Sequence, residues 1–500
     1  MSQTLSKGAR TGAPTAPSEA PSSKRWWILA IIGIAQLMVV LDATIVNIAL
    51  PSAQADLGFS DGNRQWIVTA YSLAFASLLL LGGRIADLFG RKTAFLVGIV
   101  GFAGASVLGG ISNGFGMLVT ARALQGVFGA LLAPAALSLL NTTFTEAKER
   151  AKAFSVYGAI AGAGGAVGLL LGGVLTDAFD WRMTLYVNVV FAVVAFAGGW
   201  VLLSNHRDAA NSKLDVPGTV LVATGLFSVV YGFSNAETHD WSSPQTWGFL
   251  TAGTLLLAAF AWWQTRAAHP LLPMRVLLDR NRAASFLTVL ITGAGMFGVF
   301  LFLTYYLQLN LGFSPTKTGV AFLPMMAALM VMAQVATTML VPRIGPKAVI
   351  PAGFAIAAVG MAWLTGIGIG SSFSTAVLPP LLLIGAGLGM VMPPAMSLAT
   401  SGIAPEDAGV ASATVNTMQQ VGGSIGTALL NTLAASAATS YLSGKDATSK
   451  LVQAQATIES YTTAFWWSAG FFVAGALIAF VLYRRGAQEQ DADAVQVVHM

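Results

Sequence analysis

Two charged side chains stand alone in apolar surroundings: Asp42 within LMVVLDATIVNIALP (Leu37–Pro51) and Arg122 within RALQGVFGA (Arg122–Ala130). Of the 21 acidic residues only Asp42 lies well inside an apolar run, and of the 26 basic residues only Arg122 does. Ionisable groups in hydrocarbon are expensive, and they mark ion paths, proton relays or substrate sites. The chemistry open to a lone carboxylate near a guanidinium is reversible proton binding. Burial disfavours a charged carboxylate and a nearby guanidinium favours it, so a movement that changes either loads or releases a proton. The plainer alternative is a pair that neutralises itself and locks two helices. Apolar packing serves that purpose better, because desolvating two ions can cost more than their attraction returns.

Such residues need a scaffold that holds them in hydrocarbon. Of 500 residues 55% are hydrophobic and 9% charged, with a positive mean hydropathy, whereas soluble domains carry about 25% charged residues. That excludes a soluble globular enzyme. Apolar runs of about 18 to 25 residues recur between short polar clusters, as expected of helices crossing a hydrocarbon layer roughly 30 Å thick. The chain reads as an all-α polytopic membrane protein. Spans are expected at 26–50, 63–82, 93–112, 115–138, 153–176, 183–203, 214–234, 247–265, 284–307, 317–340, 348–368, 376–399, 408–435 and 462–483, fourteen in all. Asp42 then lies roughly 24 Å beyond the inner end of span one, and Arg122 roughly 10 Å from the outer end of span four, at 1.5 Å per residue. The depths match, which predicts a direct or water-bridged contact or a shared polar cavity.

An even number of spans puts both termini on one face. With that face cytoplasmic, inner segments hold twenty Lys and Arg residues against five outside (Arg64, Arg182, Lys317, Lys445, Lys450), with Arg122 within a span. This is the positive-inside bias, and it predicts a multi-pass cell-membrane protein with cytoplasmic termini. The net charge of +5 reflects that asymmetry, and no nucleic-acid partner is expected. Residues 1–23, rich in Ser, Thr, Ala and Pro, read as a disordered cytoplasmic leader. Lys24-Arg25 and Ala53-Gln54-Ala55 mimic a cleaved signal, but the apolar run between them is too long, so a retained span is expected. Two loops echo each other, FGRKTAF (Phe89–Phe95) and RIGPKAV (Arg343–Val349). If they correspond, spans one to six match nine to fourteen, with seven and eight inserted between. That gives a six-helix bundle over 24–205, an inserted pair and linker over 206–283, a second bundle over 284–485, and a tail over 486–500.

Span five carries Gly164, Gly168 and Gly172 at four-residue spacing, with Gly173 beside them, a stripe that lets helices approach closely. Static packing and a moving seam both fit it. Gln36, Asn47, Gln125, Tyr306 and Gln419 are polar groups in apolar spans and candidates for cavity lining, with interhelical hydrogen bonding the alternative. Methionines at 325, 326, 330, 332, 390, 392 and 396 permit an adaptable apolar pocket, with lipid-facing or core-filling roles the plainer reading for most of them. Gly422-Gly423-Ser424-Ile425-Gly426 fits GxSxG but sits in an apolar helix without the strand–turn–helix context, so it is rejected as a nucleophile elbow. There is no cysteine, no phosphate-binding GxxxxGK[ST] loop and no HExxH helix. No cofactor, metal or enzymatic activity is expected, and energy must come from elsewhere.

Taken together these segments resemble the fourteen-span drug/proton antiporter branch of the major facilitator superfamily, over nearly the whole chain beyond residue 24. LDATIVNIALP (Leu41–Pro51) is similar to its first-span motif, and RALQGVFGA to its fourth-span motif. GRIADLFGRK (Gly83–Lys92) resembles the superfamily's loop motif, with Gly83, Asp87, Gly90, Arg91 and Lys92 at the expected spacing. The resemblance implies a major facilitator fold of two six-helix bundles plus two inserted helices, and a proton-handling role for Asp42 and Arg122. It also implies a conformational charge latch in the loop motif and, from the span-five glycines, export rather than uptake. The expected partners are a small lipophilic drug or antibiotic, protons and the bilayer, acting on a monomer. Export of a metabolite such as an amino acid, sugar or lipid is the alternative. Leu169 and Val190 stand where the family motifs carry proline, which puts the usual helix bends in question.

Overall fold

In hydrocarbon every backbone N–H and C=O must be paired internally, and a helix does this within a single segment. The computed structural model describes residues 22–144, 146–204, 215–239, 241–268, 270–403, 408–446 and 448–484. Most of the expected leader (1–21) and the tail (486–500) lie outside the described residues, as does the side chain of Asp87.

Among the described residues every regular element is a helix. The first eight are α1 (Ser22–Leu57), α2 (Asp61–Phe89), α3 (Arg91–Gly110), α4 (Phe115–Thr143), α5 (Ala147–Ala178), α6 (Met183–Leu202), α7 (Val216–His239) and α8 (Pro244–Gln264). A single turn, α9 (Met274–Leu278), precedes α10 (Arg280–Tyr305), which runs into a π turn at Tyr306–Asn310. Then come α11 (Pro315–Val335), continued through Ala336–Leu340 into α12 (Val341–Ile344), and α13 (Pro346–Leu364), α14 (Leu378–Thr400), α15 (Ala408–Leu442) and α16 (Lys450–Leu482).

Among the described residues thirteen stretches are long and apolar enough to cross a membrane, α11 and α12 forming one. The remaining expected span is α15, which is 35 residues long and carries Asn416, Gln419, Gln420 and Asn431. It packs among α2, α10 and α16, so polar groups that depress its hydropathy meet protein on several sides. Both α5 and α6 run unbroken through Leu169 and Val190. Helix α16 begins well before its apolar run because QAQATIES is built of residues that suit a helix whether or not they meet lipid.

An even number of spanning helices returns the chain to the side it started from, so the start of α1 and the end of α16 share one face, the terminal face; the other is the far face. Helices α1–α6 pack on one another, as do α10, α11 and α13–α16, while α7 and α8 pair together. The two echoing loops are one repeated turn. In each a single glycine joins consecutive helices, with φ of +100° at Gly90 and +79° at Gly345, conformations that residues with a Cβ avoid.

The two halves meet along α2–α15 and α5–α11, and α1 also touches α10 and α11. Three hydrogen bonds that cross between them lie at the far face. Tyr305 donates to Gln54 Oε1 at 2.6 Å, Gln308 Nε2 to the Ile48 carbonyl at 3.0 Å, and Arg64 Nε to Asn431 Oδ1 at 3.4 Å. Arg64, expected in a loop, stands one turn inside α2 and is buried, its guanidinium 4.4 Å from the Tyr305 ring centre and 5.6 Å from that of Phe302. Stacking against two rings accounts for a cation in so dry a place.

Candidate functional site

The site is built on the guanidinium of Arg122, on α4. Its Nη1 donates to Asp42 Oδ2 at 2.6 Å and to Gln125 Oε1 at 2.8 Å, and its Nε to the Ile67 carbonyl at 3.0 Å. Gln125, three residues on and therefore on the same helix face, donates from Nε2 to Asp42 Oδ1 and to Ser106 Oγ, both at 2.8 Å. From α6, Asn188 Nδ2 donates to Asp42 Oδ1 at 2.7 Å and reaches Ser106 Oγ at 3.4 Å. The Ser106 hydroxyl donates onward to the Phe102 carbonyl at 2.8 Å. Below the guanidinium lies the Tyr71 ring, 4.5 Å from it.

Five helices thus converge on one carboxylate: α1 supplies Asp42, α2 Tyr71 and the Ile67 carbonyl, α3 Ser106, α4 Arg122 and Gln125, and α6 Asn188. Asp42 and Asn188 have no exposed surface and Arg122 only 2%. Both carboxylate oxygens are occupied, Oδ2 by the cation and Oδ1 by two neutral amides. Charge-assisted bonds of this kind are about twice as strong as neutral ones, and the pair is electrically neutral as a unit. Two polar atoms of the cluster remain buried without a hydrogen bond, Asn188 Oδ1 and the Tyr71 hydroxyl.

Small residues make the convergence possible. A Cβ on Gly126 would collide with the Tyr71 carbonyl and stand 2.9 Å from Ala74 Cβ, so glycine lets α2 come close enough for Arg122 to reach Ile67. The stripe on α5 lies against α1 in the same half. A Cβ on Gly164 would sit 3.1 Å from Val40 Cγ1, on Gly168 against Thr44 Oγ1, and on Gly172 2.8 Å from Ile45 Cγ1. Gly173 faces the other half, where a Cβ would lie 2.8 Å from Thr316 Cα of α11.

The remaining sequence candidates occupy other places. Gln36 is half-buried and accepts from the Tyr157 hydroxyl at 2.5 Å. Asn47 is buried and donates back to the Ala43 carbonyl at 3.1 Å. Tyr306, in the second half, donates to the Gly368 carbonyl at 2.9 Å, and Gln419 is half-buried on α15. In the loop motif a Cβ on Gly83 would meet Pro134 Cβ at 3.5 Å, an ordinary contact, Gly90 makes the turn, and Arg91 opens α3 half-buried. Lys92 caps α6: its Nζ donates to the carbonyls of Trp200 at 2.7 Å and Leu203 at 2.8 Å, a cation at the negative end of a helix. Arg84 Nη2 donates to the Pro270 carbonyl in the linker at 3.2 Å.

Sequence reasoning paired Asp42 with Arg122 and named Gln125 only as a possible cavity-lining residue; it did not name Ser106, Asn188 or Tyr71 as partners. A depth count finds the first two. Ser106 lies four residues before the end of α3 and Asn188 five after the start of α6, roughly 6 and 8 Å from the far face at 1.5 Å per residue, near the level of Arg122.

Residues 32–427 match the family model described as Major Facilitator Superfamily. This chain belongs to the major facilitator superfamily. It is 49% identical to a puromycin resistance protein of Streptomyces alboniger, over 95% of each chain. It is 38% identical to a cephamycin export protein of Amycolatopsis lactamdurans, over 82% of this chain and 85% of that one. Among solved structures, an auto-inhibited POT family peptide transporter superposes over 94% of this chain and 99% of its own with a TM-score of 0.68 at 14% identity, a likeness of fold alone.

Proposed function

We propose that this chain is a proton-coupled antiporter that exports lipophilic antibiotics from the cytoplasm or the inner leaflet by alternating access. The observation that carries this is Asp42, a fully buried acid held by hydrogen bonds from Arg122, Gln125 and Asn188. Relatives named for antibiotic resistance and export, at 49% and 38% identity, support the cargo class. The excess of Lys and Arg on the terminal face supports a cytoplasmic assignment for that face and for both termini, with the chain in the cell membrane. The far-face bonds between the halves then close the exterior side, and cargo enters from the cytoplasm. Each proton returning down the membrane potential supplies about 2.3 kcal/mol per 100 mV. Both halves of the path belong to one chain, so a monomer suffices. The apolar, methionine-bearing interior suits neutral or monocationic cargo.

The test is transport in inverted vesicles, driven by an imposed pH gradient and assayed with puromycin as the first probe. Asp42→Asn should abolish gradient-driven uptake while expression and puromycin binding persist. Undiminished uptake in that variant would falsify the coupling role.

A further inference from the structure

The ionised cluster has an imbalance that matters once Asp42 takes up a proton. Every group bonded to the carboxylate is a donor: Arg122 Nη1, Gln125 Nε2 and Asn188 Nδ2. A protonated carboxyl adds a donor of its own and needs an acceptor. Gln125 Oε1 is committed to Arg122 at 2.8 Å, and turning that amide would cost the bond to the cation. Ser106 Oγ already receives Gln125 at 2.8 Å and lies 3.4 Å from Asn188 Nδ2. Asn188 Oδ1, by contrast, is buried and bonded to nothing. A buried acceptor left unpaired costs about 1–3 kcal/mol, so it calls for an explanation.

We propose that Asn188 is the positioning residue that registers the protonation state of Asp42 by turning its amide. With Asp42 ionised, Nδ2 faces the acid as a donor and Oδ1 is idle. When a proton binds Asp42 Oδ1 and cancels its charge, the amide turns, and Asn188 Oδ1 accepts the new O–H. Asp42 Oδ2 stays a carbonyl acceptor for Arg122, and Gln125 keeps its bond to Ser106. The displaced Nδ2 takes the backbone carbonyl one turn back, the bond that Asn47 and Asn416 make to Ala43 and Ser412, both at 3.1 Å. Release of the proton reverses the turn. The other charged or titratable groups facing Asp42 are Arg122 on α4 and Tyr71 on α2; α3 brings Ser106, and α5 brings the glycine stripe. The Tyr71 hydroxyl is also buried without a partner, but it is the Asn188 amide that already touches Asp42 Oδ1, at 2.7 Å, and its turn moves a group on α6, so the charge on α1 is sensed by a second helix of the bundle.

This inference rests on proton binding at Asp42, and the experiment separates the two. Full-length protein in lipid nanodiscs is examined by infrared difference spectroscopy between acidic and alkaline pH. The protonated carboxyl of Asp42 is the C=O stretching band missing in Asp42→Asn. In Asn188→Val that band should move to higher frequency, because the carboxyl proton loses its acceptor. In Asn188→Ser, where a hydroxyl offers donor and acceptor again, it should return towards the wild-type position. A band unmoved in a folded Asn188→Val protein overturns the inference while leaving proton binding at Asp42 intact. A wild-type spectrum with no band sensitive to Asp42→Asn overturns the proposed function, and this inference with it.

Discussion

The hydroxyl of Tyr305 donates to Gln54 Oε1 at 2.6 Å while the same ring lies 4.4 Å from the Arg64 guanidinium, so one aromatic side chain of the second half holds both α1 and α2 of the first. Opening the far face must break both contacts. Tyr305→Phe combined with Arg64→Ala should remove about 1–2 kcal/mol from each and shift the population towards far-face opening roughly tenfold or more. The chain has no cysteine, so spin labels at Ala55→Cys and Leu309→Cys report the separation directly. A distance distribution that the double substitution leaves unchanged would count against this closure.

Gly173 offers an independent handle on the same movement. Its missing Cβ would stand 2.8 Å from Thr316 Cα across the boundary, so Gly173→Ala should prop the far face apart and lengthen the same spin-label distance. Gly172→Ala should not, because its neighbour is Ile45 of the same half. It should instead lower the melting temperature, by overpacking worth about 1–3 kcal/mol. Gly165→Ala, with open space around it, is the control and should leave stability equal or slightly higher.

Arg122→Lys keeps the charge but not the fork. An ammonium cannot hold Asp42, Gln125 and the Ile67 carbonyl in the same planar geometry, so gradient-driven transport should fall about 10–100-fold with little loss of folded protein, as for other disturbed supporting contacts. Arg122→Ala leaves the carboxylate buried without its counter-ion, a cost of about 3–5 kcal/mol. Its thermal stability should drop sharply at neutral pH, and adding Asp42→Asn should restore part of it.

Asp215, at the entry to α7, bears on the pH profile. Burial pushes its carboxyl up, but hydrogen bonds from Gln264, Trp263 and the Gly218 backbone outweigh that and hold it below the ordinary value of 3.8. A depressed folded value means that its stabilisation is present above the unfolded pKa and is lost as pH falls through the folded one. Across about pH 5–8 this clasp is constant. Asp215→Asn should therefore change stability without moving the midpoint of the transport–pH curve, measured on the same vesicles as Asp42→Asn.

The Asp42–Arg122 contact was legible because charges are so rare in these spans that position and depth alone pair them. Gln125 was legible only as a polar group in an apolar span, although its place three residues after Arg122 puts it on the same helix face. A depth count puts Asn188 and Ser106 near the right level, but a neutral polar residue in an apolar helix serves any neighbour equally well, and only the convergence of α3 and α6 makes these two partners of Asp42. Arg64 counts with the outer loops in the sequence because it stands at the very edge of span two, whose end is expected at residue 63. The rings that bury it lie more than two hundred residues away, beyond any local pattern. Helix α15 shows the same limit, since protein neighbours on three sides replace the lipid that hydropathy assumes.

The inserted pair leaves the molecule with unequal flanks. Helix α7 lies against both α2 and α15, with Tyr231 set 5.9 Å from the Trp66 ring, and so it shutters one side of the boundary between the halves. The α5–α11 side carries no such cover from α7 or α8 among the described contacts. Acyl chains therefore lap against α7 on one flank, and on the other against α5 and α11 themselves, which press together at Gly173 and Gly319.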